Sequence, residues 1–148
     1  MFTRALLAAA SCAAAATLMT AVPAQAASPI QLGKIQYDSP GTDSRTNASL
    51  NAEYVVIKNT GTTSRALTGW TLRDDANHVY KFGTFTLGPG KTVVVRTGKG
   101  TNTASTRYWG SGNYVWNNTG DKAYLRASNG TAIDSCAWTS KGSGYKNC

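Results

Sequence analysis

Apolar side chains come in short bursts along this chain from residue 30 onward, separated by Gly, Pro and Asn. The bursts recur roughly every eight to twelve residues and are rich in Val, Ile, Tyr, Trp and Thr, side chains that suit a pleated, half-buried surface. That spacing is the pattern of an all-β sandwich or barrel. It predicts strands over 30–37, 53–59, 70–74, 79–82, 92–97, 121–127 and 131–138. No segment after the first two dozen residues keeps a helical apolar period over three turns. Asn59-Thr60-Gly61, Leu87-Gly88-Pro89-Gly90 and Asn118-Thr119-Gly120-Asp121 put Gly or Asn where a positive φ is cheap. Asn129-Gly130 between two apolar runs is a two-residue hairpin signal, and antiparallel pairing follows. Residues two apart in a strand share a face. The expected inner rows are therefore Tyr54 with Val56, Trp70 with Leu72, Val93 with Val95, and Ala123 with Leu125. The longest candidate loops are 38–50 and 98–111, both long enough to carry function.

The first two dozen residues follow a different rule. Arg4 supplies a basic start, an alanine-rich apolar run follows to Ala21, and Ala24-Gln25-Ala26 fits a small-x-small cleavage pattern. This reads as a secretory signal peptide over 1–26, with a mature start at Ala27. The run is short of the roughly 20 strongly apolar residues a bilayer span needs, is broken by Ser11, Thr17 and Thr20, and ends at Pro23. No later segment reads as a span. Ala9 stands where a lipobox would carry leucine before Cys12, which argues against lipidation. Residues 27–148 are then expected to form one domain. Cleavage removes Cys12 and leaves Cys136 and Cys148, an even pair expected to be bonded in an oxidising compartment. Such a bridge would pin the Gly- and Ser-rich tail. Two Cys and one His fall short of a four-ligand zinc site.

The whole chain carries 15 Lys and Arg against 7 Asp and Glu. Loss of the leader leaves fourteen basic residues and a net charge of about +7, a balance that favours anionic partners. The basic residues stand singly, which is also how a solvated face reads. Catalytic constellations are thin. His78 is the only histidine, and Asp74-Asp75-Ala76-Asn77-His78 has the composition of a hairpin tip rather than of a triad. Glu53 is the only glutamate, expected at a strand start beside a basic neighbour, so a two-carboxylate glycosidase is not indicated. Asp38, Asp43, Asp74 and Asp75 are weak candidates for calcium, because their loops could supply oxygens, although no EF-hand spacing is present. Trp70, Trp116 and Trp138 fall in strand-like settings and are expected in the core. Lys99, Arg107, Tyr108 and Trp109 lie on or beside the long 98–111 loop and are the candidate binding residues, as rings and cations together make a stacking platform.

Several ordered segments resemble the lamin-tail family, particularly its secreted bacterial members: YDSPGTD at 37–43, NAEYVVIKN at 51–59, LTGWTLRD at 67–74, YKF at 80–82, LGPG at 87–90, TGKG at 97–100, VWNNTGD at 115–121 and AYL at 123–125. The resemblance covers about 35–138. It implies an immunoglobulin-like antiparallel β-sandwich and a non-enzymatic interaction module without a cofactor. The leader, the terminal Cys pair and the lack of a preceding coiled coil depart from the nuclear members, whose filament roles are not carried over. The expectation is a secreted, extracellular binding or structural module that associates with an anionic polymer of the cell envelope. The alternatives are an adaptor for another extracellular protein, such as a secreted hydrolase or nuclease, and a nucleic-acid-binding domain.

Overall fold

The computed structural model describes residue 21 and residues 27–148; apart from Ala21, the expected signal peptide lies outside the described residues. The chain runs through β1 (Ile30–Gln36), α1 (Asn47–Asn51), β2 (Tyr54–Asn59), β3 (Arg65–Ala66), β4 (Thr71–Arg73), β5 (Val79–Lys81), β6 (Thr86–Leu87), β7 (Thr92–Arg96), β8 (Thr106–Tyr108), β9 (Asp121–Arg126), β10 (Ala132–Trp138) and β11 (Tyr145–Asn147). A five-stranded sheet in the order β11-β1-β2-β7-β8 and a four-stranded sheet in the order β10-β9-β4-β5 enclose the core, with β3 and β6 forming a small ribbon. This is an immunoglobulin-like β-sandwich. The seven predicted strands all form. The four that the pattern missed have two or three residues each, too few for alternation to show.

Two expectations about the five-stranded sheet need correction. Pairing is not antiparallel throughout, since β8 lies parallel to β7 with Val94 opposite Thr106 and Arg96 opposite Tyr108. The chain crosses back through 97–105 and re-enters the sheet in the same direction, as parallel neighbours require. The inner row of β2 is also shifted by one residue. Glu53, Val55, Ile57 and Asn59 are buried, while Tyr54 and Val56 are only partly covered. The rows Val93 with Val95 and Ala123 with Leu125 do face the core, as does Leu72; Trp70 packs against it from the rim.

Polar atoms at both ends of the inner β2 row explain the shift. Asn59 closes the far end, with Nδ2 donating to the carbonyls of Thr63 at 2.9 Å and Leu87 at 3.0 Å while Oδ1 accepts from Gly61 N–H at 3.0 Å. Glu53 closes the near end without the basic neighbour that was expected. Its Oε1 accepts from the Thr97 hydroxyl at 2.7 Å and from the backbone N–H groups of Val115 at 2.8 Å and Trp116 at 3.2 Å, while Oε2 is buried without a partner. One carboxylate thus joins the start of β2, the end of β7 and the 115–116 segment. Burial pushes its pKa up to about 7 against these three bonds, and the nearby Asp121 charge adds to the rise.

In β1 a register shift between Leu32 and Ile35 turns both side chains inward. Gly33 lies in this bulge, and a Cβ there would fall 2.6 Å from Lys58 Cε, so the bulge and the Lys58 stem share the space. At the tail, Tyr37 stacks on Trp138 with ring centroids 4.5 Å apart, and its hydroxyl donates to the Lys141 carbonyl at 2.7 Å. The expected disulfide is present between Cys136 and Cys148, tying β10 to the residue that follows β11.

Two outcomes follow from this arrangement. The folded-state pKa of Glu53 is above its value of 4.5 in the unfolded chain, so between these pH values the folded protein holds a proton that the unfolded chain has released. Glu53 therefore favours folding fully below about pH 4.5, and that advantage is lost as pH rises through about 7. The gap amounts to roughly 3 kcal/mol. In urea titrations, the stability difference between wild type and Glu53→Gln should shift by about that much across this window and be flat above it. Reduction of the disulfide should lower stability by roughly 3 kcal/mol, the chain-entropy value for so short a loop. Denaturation with and without reductant measures it.

Candidate functional site

Alternation sorts the five-stranded sheet into an apolar inner face and a cationic outer one. Its strands contain no Asp or Glu, and of their five basic residues Lys34, Lys58 and Arg96 lie on the outer face, while Arg107 and Lys146 are in register with the inward-facing Val95 and Ile35. On the outer face register sets Gln36 opposite both Tyr145 and Tyr54, Tyr54 opposite Arg96, and Arg96 opposite Tyr108. Lys34 lies over the ring of Tyr145 at 4.4 Å and near that of Tyr54 at 6.0 Å, and Arg96 lies over Tyr54 at 5.4 Å. The row therefore runs Tyr145, Gln36, Tyr54, Arg96 and Tyr108 across the five strands, with Lys34 reaching over its rings from two residues away on β1, and spans roughly 19 Å at an interstrand spacing of about 4.8 Å. Lys34 and Arg96 are held by π-faces rather than carboxylates, so their charges stay available to an external anion.

The opposite sheet offers a weaker version. Arg73 and Lys122 lie over Tyr124 at 4.8 Å and 4.9 Å. However, the Tyr124 hydroxyl donates to Asp75 at 2.7 Å, a bond that holds the phenol above its ordinary pKa. Asp121 and Asp134 also belong to this sheet, so its positive charge is partly offset.

The four candidate binding residues do not form one patch. Thr106 and Tyr108 follow the outer face of β8, whereas Arg107 follows the inner one beside Val95. Arg107 covers the ring of Phe85 at 4.4 Å, its Nε is buried without a partner, and its charge opposes the rise that burial imposes on the Tyr80 hydroxyl. Trp109 packs partly buried against Tyr80 at 5.9 Å and Trp116 at 5.8 Å. Tyr108 stays on the outer face, where Gly100 lies so close that a Cβ would come within 2.4 Å of the ring. Lys99 is exposed on the neighbouring loop. The reading from sequence missed Lys34, Tyr54, Arg96 and Tyr145. Once Val55 and Ile57 are placed inside, alternation would have turned Tyr54 and Lys58 outward.

The acids are occupied in local structure. Asp74 accepts from His78 N–H at 2.7 Å and faces its Nδ1 at 2.6 Å, which staples the 74–78 turn. That is the only side-chain hydrogen bond of His78 among the described residues, so no hydroxyl or thiol is bonded to it as a triad would need. Asp121 Oδ1 accepts from Asp75 N–H at 3.0 Å and Oδ2 from Asn117 N–H at 2.9 Å, in the wall of a cleft of about 390 Å³ that Asp75, His78 and Trp116 also line. Asp38 accepts from Asn118 at 3.0 Å and pairs with Lys141 at 3.2 Å, and Asp43 is exposed on the 38–46 loop. The four aspartates considered for calcium are not brought together. Among the described residues no three His, Cys, Asp or Glu side chains are grouped to hold a metal ion. No described helix is long and apolar enough to cross a membrane.

A profile of the Lamin Tail Domain family matches residues 23–140. No curated protein matches the chain.

Trp109→Ala should lower stability by about 2–4 kcal/mol, because it empties the space between Tyr80 and Trp116. Binding of anionic polymer by the variant, measured well below its melting temperature, should be unchanged.

Proposed function

The chain belongs to the lamin tail domain family, and from there we propose that it is a secreted, non-catalytic binding module of the bacterial type that associates with anionic polymers of the cell envelope. The outer face of the five-stranded sheet carries the reading, since it combines Lys34, Lys58 and Arg96 with Tyr54, Tyr108 and Tyr145 and has no acid. A sugar-based polyanion suits this face chemically: tyrosine faces stack on rings and the cations between them pair with repeating charges. An apolar protein partner suits it less, because the large exposed hydrophobics among the described residues are Val79 and Tyr145 alone. Secretion is supported by the leader pattern and by the disulfide, a bond that persists in oxidising compartments.

Co-sedimentation with purified cell walls at low salt and at about 0.5 M salt tests the proposal, with a neutral polysaccharide as control. Binding should be present at low salt and lost at high salt. Lys34→Glu/Arg96→Glu should weaken it at least about tenfold, while Lys81→Glu/Lys122→Glu on the other sheet should have a much smaller effect. Equal effects of the two pairs, or binding indifferent to salt, would overturn the reading.

A further inference from the structure

We propose that the cleft between the loop bearing Arg45 and the loops bearing Lys99 and Ser111 binds a single phosphoryl group. It measures about 290 Å³ and is lined by Arg45, Asn47, Leu50, Lys99, Ser111 and Gly112, with no acid among them. That volume is at the low end for a small-molecule site and suits one charged group rather than a whole sugar unit. The two cations come from loops more than fifty residues apart in sequence. Neither has a carboxylate within 4.0 Å, because the ion pairs among the described residues are His78 with Asp74 and Lys141 with Asp38. Asp43, two residues before Arg45, makes no such pair.

The backbone is built to hold these cations in place. Asn47 Nδ2 donates to the Lys99 carbonyl at 2.9 Å and its Oδ1 accepts from Lys99 N–H at 2.8 Å, while Asn51 Nδ2 donates to the same carbonyl at 2.9 Å. The side-chain oxygens of Asn47 and Asn51 both approach to 2.6 Å of where a Cβ on Gly98 would be, so the clamp closes only over glycine. Arg45 has φ +56°, a left-handed conformation in which glycine is at ease and a side chain is strained. Its N–H reaches the Tyr114 hydroxyl at 3.3 Å, and that hydroxyl bonds Ser49 at 2.6 Å. A strained arginine where glycine would fit better, lining the same cleft as a second unpaired cation, is accounted for by an anion that both charges bind. A tetrahedral group offers oxygens to both loops at once, which a planar carboxylate does less well. The cleft adjoins the outer sheet face, because Arg96 Nη1 donates to the Asn51 carbonyl at 2.7 Å. The inference goes beyond the polymer reading and does not depend on it.

The test is an NMR titration of the chain with inorganic phosphate at constant ionic strength, with acetate as the comparison and amide shifts of Gly98, Lys99, Ser111 and Gly112 as the readout. Phosphate should give saturable shifts confined to these loops, and acetate should bind at least about fivefold more weakly. Arg45→Gly should fold with an unchanged or higher melting temperature, since it relieves the left-handed backbone, and should bind phosphate at least about fivefold more weakly. Lys99→Gln should show the same loss. Equal affinity for acetate, or undiminished binding in Arg45→Gly, would overturn the proposal. Wall binding that persists in that case would leave the sheet-face reading intact, and phosphate binding without wall binding would separate the two in the other direction.

Discussion

The buried carboxylate of Glu53 is the constraint on which the arrangement of this sandwich depends. Its Oε1 gathers the Thr97 hydroxyl and the N–H groups of Val115 and Trp116 at one point, so that β2, the exit of β7 and the segment leading toward β9 meet there. A charge in such a place is costly, and burial accordingly pushes the carboxyl toward neutrality. The arrangement persists because three donors converge on the oxygen, and removing it would leave buried backbone N–H groups unsatisfied. With Asn59 at the opposite end, Glu53 fixes the register of the central strand. In a strand of period two a slip of one residue would exchange its two faces.

That register decides the chemistry of the surface. With Val55 and Ile57 inside, Tyr54 and Lys58 turn outward, which sets Tyr54 in register with Arg96 on β7 and through it with Tyr108 on β8, while Lys34 on β1 reaches toward the Tyr54 ring. The disulfide contributes at the far edge, since Cys148 follows directly on the strand that carries Tyr145. Core packing and the cationic face are thus two results of one alternation. The acids are used to organise turns: Asp74 with His78, Asp121 with the backbone of Asp75 and Asn117, and Asp38 with Asn118 and Lys141. The strands of the five-stranded sheet themselves carry no Asp or Glu, although Asp134 of β10 reaches β1, where its Oδ2 accepts from Leu32 N–H at 2.8 Å.

Most of the architecture was legible because long strands with clear turn residues declare themselves. The face of β2 was not, because Tyr54, Val55, Val56 and Ile57 are all apolar enough for either side. The polar ends of its inner row, Glu53 and Asn59, read locally as surface residues. Only tertiary partners distant in sequence satisfy Glu53. The arrangement of the candidate binding residues was hidden for a related reason. Arg107, Tyr108 and Trp109 are adjacent in sequence and looked like one patch, but β8 is a strand, and alternation sends Arg107 to the core side and Tyr108 outward. Lys34, Tyr54 and Arg96 come together only through pairing of three strands, which spacing along the chain does not reveal.

The central claim is that charge on the five-stranded sheet, rather than net charge spread over the whole molecule, recognises an anionic polymer. Lysine acetylation footprinting with and without saturating soluble wall polymer addresses it most directly, because each lysine reports its own face. The account predicts that Lys34 and Lys58 become protected while Lys81 and Lys122, on the four-stranded sheet, acetylate at their free rates. Uniform protection of all four, or protection of Lys81 and Lys122 alone, would contradict it.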